Sequence, residues 1–252
     1  MTRYIFLFFI LSIKNIYAQN DTKMIVGLYD LSSFEMASGI YLLEEKLFFY
    51  YASFGNIDLK VFGEYQIKND SLLTFTPDPK LTMEFDLYGT KNEMTNDRIT
   101  LFYKRPYEEK AEHIVLRMGR DQVPFPKFTE EKDIVSISEK RPKSEVLTIA
   151  YNRSIPSQQE NYLSVQLPDD INELRVFHNY YAHMVREFAR SSFQIKAGAL
   201  VTNSGNQRPR PKKELNNEVI AQVKAFIADR KKDKPLEIDG KIYQKLNPID
   251  SN

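Results

Sequence analysis

The side chains best suited to chemistry cluster around residues 178–187. His178, Tyr180, Tyr181, His183 and Glu187 lie within ten positions, and the chain has three histidines in all. On a helix, His183 and Glu187 would share a face and could hold a divalent metal. His178, five positions earlier, breaks that spacing. On a strand, His183 and Glu187 again share a face while His178 points the other way. The pattern therefore gives no complete metal site, and no metal or cofactor is expected. Tyr180 and Tyr181, placed in a loop, would offer flat amphipathic rings for stacking on a sugar or a peptide. His178, Tyr180, Tyr181 and His183 are accordingly the candidate ligand-binding residues, and no catalytic residue is nominated.

Paired carboxylates occur at Glu44–Glu45 and Asp169–Asp170, and single ones at Asp58 and Glu64. A glycosidase needs two carboxylates about 5–10 Å apart across a cleft. Adjacent acids in turns do not imply one, and Pro168-Asp169-Asp170 reads as a turn without the alternating acids of a calcium loop. The sequence holds no Gly-x-Ser-x-Gly, His-Glu-x-x-His, phosphate loop or dinucleotide fingerprint. A Ser–His–Asp triad is free in order, so an exported hydrolase stays as the alternative function. With no cysteine, thiol nucleophiles, thiolate zinc, iron–sulfur clusters and an acylated lipoprotein anchor are excluded.

The N-terminus carries a different kind of signal. Met1-Thr2-Arg3 is followed by the apolar run Tyr4–Ile13, and then by Lys14-Asn15-Ile16-Tyr17-Ala18 before polar Gln19-Asn20-Asp21. A charged start, a short apolar stretch and a small residue ahead of polar sequence form a secretory signal. The stretch is too short for a membrane helix, which needs about 20 residues. Cleavage is expected after Ala18, giving a periplasmic or secreted product with no transmembrane segment. Loss of Arg3 and Lys14 leaves 33 bases against 34 acids. So balanced a chain generates no long-range field for nucleic acid, and none is expected as a partner. An envelope protein or glycan is the expected partner.

The 252 residues include 15 Tyr and 17 Phe but only nine Gly, a composition suited to strands rather than to glycine-rich phosphate loops. Strands are predicted at 23–31, 39–44, 46–54, 58–68, 72–76, 81–88, 98–104 and 113–118, with turn signals every 8–12 residues or so. That spacing predicts an antiparallel sandwich or barrel over 19–120. Pro124 and Pro126 mark 121–131 as a linker. Strands at 134–137, 145–151, 161–167, 173–178 and 192–196 predict a second, small immunoglobulin-like β region over 132–201. Residues 182–188 read as either a strand or a helical turn. Residues 202–213 are polar and read as a second linker.

Leu215, Val219, Ile220, Val223, Phe226 and Ile227 recur at three- and four-residue intervals, predicting an amphipathic helix over 214–231. Residues 236–246 follow as a hairpin about Asp239-Gly240. Helix and hairpin are expected to pack on the second β region. The fold class is thus mainly β, with one C-terminal helix and a hairpin.

Between Gly39 and Phe75 the chain carries Tyr51-Ala52-Ser53-Phe54-Gly55-Asn56-Ile57-Asp58, then Gly63-Glu64-Tyr65, then Asn69-Asp70-Ser71-Leu72-Leu73. Over these 40 or so residues it resembles uncharacterised exported β domains of Bacteroidetes-type bacteria. Tyr65 stands where that pattern usually has Trp. The resemblance implies fold and compartment, and no reaction. The sequence therefore points to an exported, non-catalytic β protein with a binding or structural role at the cell envelope.

Overall fold

The structure is a computed structural model that describes residues 25–94, 97–104, 113–128, 134–141, 146–151, 161–202 and 208–249. The signal segment lies outside these residues. Five strands come first: β1 (Gly27–Asp30), β2 (Ala37–Leu42), β3 (Leu47–Phe54), β4 (Ile57–Lys68) and β5 (Leu72–Pro77). The next eight are β6 (Phe85–Thr90), β7 (Arg98–Lys104), β8 (Ile114–Met118), β9 (Asp121–Val123), β10 (Ile134–Lys140), β11 (Val146–Tyr151), β12 (Asn161–Gln166) and β13 (Glu173–His178). The helix α1 (Ala182–Arg190) precedes β14 (Ser192–Lys196), β15 (Ala199–Thr202) and β16 (Arg210–Lys213). The helix α2 (Asn217–Lys231), then β17 (Leu236–Ile238) and β18 (Lys241–Lys245), complete the order.

Among the described residues two compact units result, 25–81 with 184–231, and 82–183 with 232–249. The first is a closed antiparallel barrel in the order β1-β16-β15-β14-β5-β4-β3-β2. It is a plain meander whose fifth and sixth strands, β5 and β14, are separated in sequence by most of the second unit. Tight turns set its register. Ala197 and Gly198 both have positive φ, which is what the two-residue type I′ hairpin between Lys196 and Ala199 demands, and Asn69 and Asp70 also have positive φ in the three-residue turn between the paired Lys68 and Leu72. Gly55, with φ +53°, turns β3 into β4. Gly63 has another cause: a Cβ there would lie 2.1 Å from the Thr76 carbonyl oxygen, where β5 leaves the ladder.

Residues directly opposite in a ladder share a face. Tyr29, Ile40, Phe48, Tyr65, Leu73 and Leu200 are all buried and line the barrel interior. Phe188 of α1 adds its ring to them, 5.6 Å from Phe48 and 5.1 Å from Phe75. The opposite face of β2–β4 is apolar too, because α2 covers it. Leu215, Ile220, Val223, Phe226 and Ile227 pack against Tyr41, Leu43, Leu47, Phe49 and Phe62. Asn216 caps α2 by accepting from the Val219 amide at 2.8 Å.

The second unit is two sheets over one core. One is β10-β7-β13-β6-β18-β17 and the other β12-β11-β8-β9. Leu87, Leu101, Leu174 and Val176 of the first meet Leu116, Leu147, Ile149 and Val165 of the second. All ladders are antiparallel except β13 with β7.

Several expected boundaries are corrected. The described residues of 82–118 belong to the two-sheet unit and not to the first barrel, so 19–120 is not one domain. Part of the expected linker 121–131 is structured: β9 pairs with β8, and Phe125 and Phe128 pack on the core despite Pro124 and Pro126. The region 132–201 divides, with β14 and β15 in the barrel. Polar 202–213 is no linker at its end, since β16 closes the barrel through backbone hydrogen bonds that need no apolar side chains. Helix and hairpin part company: α2 covers barrel strands, while β18 adds to the edge of β6. Residues 182–188 take the helical alternative, as α1.

Ile227 is 4% exposed at the centre of the α2 contact. Ile227→Ala should cost about 2–4 kcal/mol of stability, the usual range for truncating a packed aliphatic side chain. Urea denaturation followed by circular dichroism measures it.

Candidate functional site

The four expected ligand residues all lie in the two-sheet unit, and the structure treats them in two ways. His178 ends β13 on the same face as Val176 and Leu174, pointing into the core. Its Nε2 is 3.0 Å from Glu84 Oε1, and its Nδ1 is 3.3 Å from the Tyr103 hydroxyl. The tautomer that satisfies all three groups has Nε2–H donating to the carboxylate and the phenol donating to Nδ1. The rings of Phe85 and Tyr151 lie 4.9 and 4.8 Å from the imidazole. A carboxylate, imidazole and phenol in line have the parts of a proton relay. Yet the side chains of His178 and Glu84 are each only 2% exposed, so the array is enclosed by the core rather than presented to a substrate.

Tyr180, Tyr181 and His183 face the other way. They sit where β13 gives way to α1, and Tyr180 is 50% exposed. Its ring meets those of Tyr181 and His183 edge-on, each at 5.8 Å. His183 is fixed by its Nδ1, which donates to the Tyr180 carbonyl at 2.9 Å. Aromatic edges and an imidazole thus form a small exposed platform.

The other candidates are held locally. Glu187 pairs with Arg190 at 2.7 Å, on the exposed side of α1. Glu45 reaches Lys224 of α2 at 3.2 Å, and Asp58 pairs with Lys60 at 2.6 Å. The Asp169–Asp170 turn is braced by Arg141, which donates to the carbonyls of Pro168 and Ile171. Among the described residues, no group of three His, Asp or Glu is placed to hold a metal ion.

Sequence reasoning overlooked Glu84, Tyr103 and a second buried network. Inward alternation marked Tyr103, which follows Ile99 and Leu101 on one face of β7. Nothing in the sequence marked Glu84. In the second network Glu173 is 4% exposed and accepts three hydrogen bonds. They come from the Tyr243 hydroxyl, from Lys241 Nζ at 2.8 Å and from Asn92 Nδ2 at 2.7 Å. Arg175 donates to the Tyr243 oxygen at 3.3 Å and lies 4.1 Å above the Phe102 ring. Burial alone would raise the Glu173 carboxyl. The hydrogen bonds from Lys241, Tyr243 and Asn92 outweigh burial and hold it below the ordinary carboxylate range. Burial and the neighbouring Glu173 push the Tyr243 phenol up. This network fastens the β17–β18 hairpin to the sheet.

Compared with known family models, curated proteins and solved structures, the chain matches none. Function must therefore be argued from the geometry.

Two outcomes follow from the buried acids. The lowered Glu173 value means that its carboxylate stabilises the fold above about pH 4.3, where an unfolded glutamate titrates. That contribution is lost as pH falls through the lower folded value. Thermal melts of Glu173→Gln should show a shallower acid limb than the parent, with the share contributed by Asp30 retained. His178→Phe should remove the hydrogen bond from Nε2 to the buried Glu84 carboxyl and cost about 2–4 kcal/mol by denaturant unfolding. A cost below 1 kcal/mol would mean that the Glu84 carboxyl finds another partner.

Proposed function

We propose that the chain is an exported, non-catalytic β protein with a binding or structural role at the cell envelope, taking an envelope protein or glycan as its partner. The observation that carries this reading is the asymmetry of the candidate residues. His178, the one best equipped for acid–base chemistry, is spent inside the core with Glu84 and Tyr103. Tyr180 presents its ring to solvent, with the half-buried Tyr181 and His183 packed edge-on beside it, and such a ring can stack on a sugar or a peptide. Export rests on the pattern of residues 1–18, and no helix among the described residues is long and apolar enough to cross a membrane.

Within the same reading, the stretch from Gly39 to Phe75 keeps its resemblance to exported β domains of Bacteroidetes-type bacteria. Of the region 132–201 read as immunoglobulin-like, β10–β13 alone lie in the two-sheet unit, and the parallel pair β7–β13 departs from a purely antiparallel sandwich. The hydrolase alternative draws on the 3.0 Å approach of His178 to Glu84. Their enclosure argues against it, because general acid–base catalysis needs a substrate within hydrogen-bond reach.

The full chain, expressed with its own N-terminus, should yield an exported product beginning at Gln19 by intact-mass analysis. A product retaining Met1 or Arg3 would overturn export. Envelope glycan and envelope protein retained by the parent should be lost with the Tyr180→Ala, Tyr181→Ala double variant, whose melting temperature should change little. Equal retention by the variant would remove the platform from the binding role.

A further inference from the structure

The barrel interior carries two cations. Arg210 lies directly opposite Leu200, and Lys212 directly opposite Tyr29. Leu200 and Tyr29 are fully buried and inward-facing, so the side chains of Arg210 and Lys212 share the inner face. None of the described inward positions on the eight strands holds an acid. Nor does the segment 203–207 leading into β16 contain one. Lys212 reaches an acid at its own end, Glu214 at 2.9 Å. Arg210 meets only a neutral group among the described residues, the Ser32 carbonyl at 3.2 Å. Its guanidinium has five donors and matches a carboxylate better than a lone carbonyl.

A second observation stands beside it. Ser32 clasps Ser38 through two 3.1 Å hydrogen bonds between its hydroxyl and the Ser38 backbone. Ser38 itself is fully buried, shares the inner face with Ile40, and its hydroxyl has no hydrogen-bond partner among the described residues. Leaving a buried hydroxyl unpaired is unfavourable. Ala52, directly opposite Ser38, leaves this part of the wall short of side-chain volume. Tyr50 and Phe188, both half-buried and stacked at 4.4 Å, supply a flat apolar surface on the same inner face.

Deepening the binding reading above, we infer that this end of the barrel is a site for an amphiphilic organic anion. The carboxylate head would pair with Arg210 and accept from Ser38, and the apolar body would lie on Tyr50 and Phe188. An eight-stranded barrel has room for one small ligand at most. The half-exposed Arg210 and Tyr50 make first contact. The Ser38 hydroxyl is covered in the free protein, so its bond forms as the head displaces what lies over it.

The test uses the full mature chain with 8-anilinonaphthalene-1-sulfonate as fluorescent probe, and dodecanoate, dodecanol and inorganic phosphate as competitors. Dodecanoate should displace the probe at least about tenfold better than dodecanol, and phosphate alone should not displace it. Arg210→Gln should weaken dodecanoate about tenfold or more, the scale of a lost charge-assisted pair. Lys213→Gln, on the outer face and paired with Asp30 at 3.0 Å, should bind as the parent does. Should Arg210→Gln fail to fold, Ser38→Ala replaces it, weakening dodecanoate several-fold and leaving dodecanol unchanged. Equal displacement by dodecanol, displacement by phosphate alone, or unaltered binding in both variants would overturn the site. The N-terminus of the product and retention through Tyr180 are read separately, so failure here is distinguishable from failure of the envelope role.

Discussion

Closure of the barrel is the constraint on which the rest depends. An open meander would leave β1 and β16 with unpaired amides and carbonyls along two edges. Pairing Leu28 with Lys213 and Tyr29 with Lys212 removes both edges, at a separation of more than 180 residues in sequence. The 3.0 Å contact between Asp30 and Lys213 lies across the same seam. Hydrogen bonds from Ser32 and Lys213 hold the Asp30 carboxyl well below its usual value, at about 2. The ionised form is therefore the one present at neutral pH. Because β5 and β14 must also be neighbours, the segment of the second unit, 82–183, is inserted between two strands that pair.

The two units solve their polar problems differently. The barrel places its phenols where backbone carbonyls can take them. Tyr29 donates to Ile25 and Tyr65 to Leu43, and burial pushes both hydroxyls up, Tyr65 to about 12. They remain neutral donors at any physiological pH. The two-sheet unit instead encloses ionisable groups with partners: Glu84 with His178, and Glu173 with Lys241 and Tyr243. Such pairs fix geometry more than they add stability, since desolvation offsets much of the attraction. Breaking one partner is another matter, because a lone charge is then left in the core.

Much of the β content was legible because alternation is a local signal. The strand 173–178, the turns at Asn69–Asp70 and Asp239–Gly240, and the apolar stripe of residues 215–227 depend on neighbours a few residues apart. Domain membership was not legible, for it depends on which distant edges meet. Nothing local distinguishes the strand 98–104, which pairs with β10 and β13, from a sixth strand of the barrel. The short β16 was hidden by its composition. Arg-Pro-Lys-Lys reads as a solvated linker, and its strand character comes wholly from β1 and β15 on either side. The same holds for the site residues. Exposure of Tyr180 followed from a turn reading, whereas the enclosure of His178 required Glu84, ninety-four positions away, to be brought beside it.

Both units are discontinuous, and this ties their completion to the end of the chain. The barrel lacks its seam until 210–213 is available, and α2 must follow before the apolar outer face of β2–β4 is covered. The two-sheet unit waits longer still. Its strand β6 keeps an open edge until β18 arrives, with Leu246 then donating to Leu87 at 2.8 Å. Past that point Ile249 donates to Ser164 of β12, so the tail that leaves one sheet hydrogen-bonds to the edge of the other. Contacts of such long range close large loops and form late.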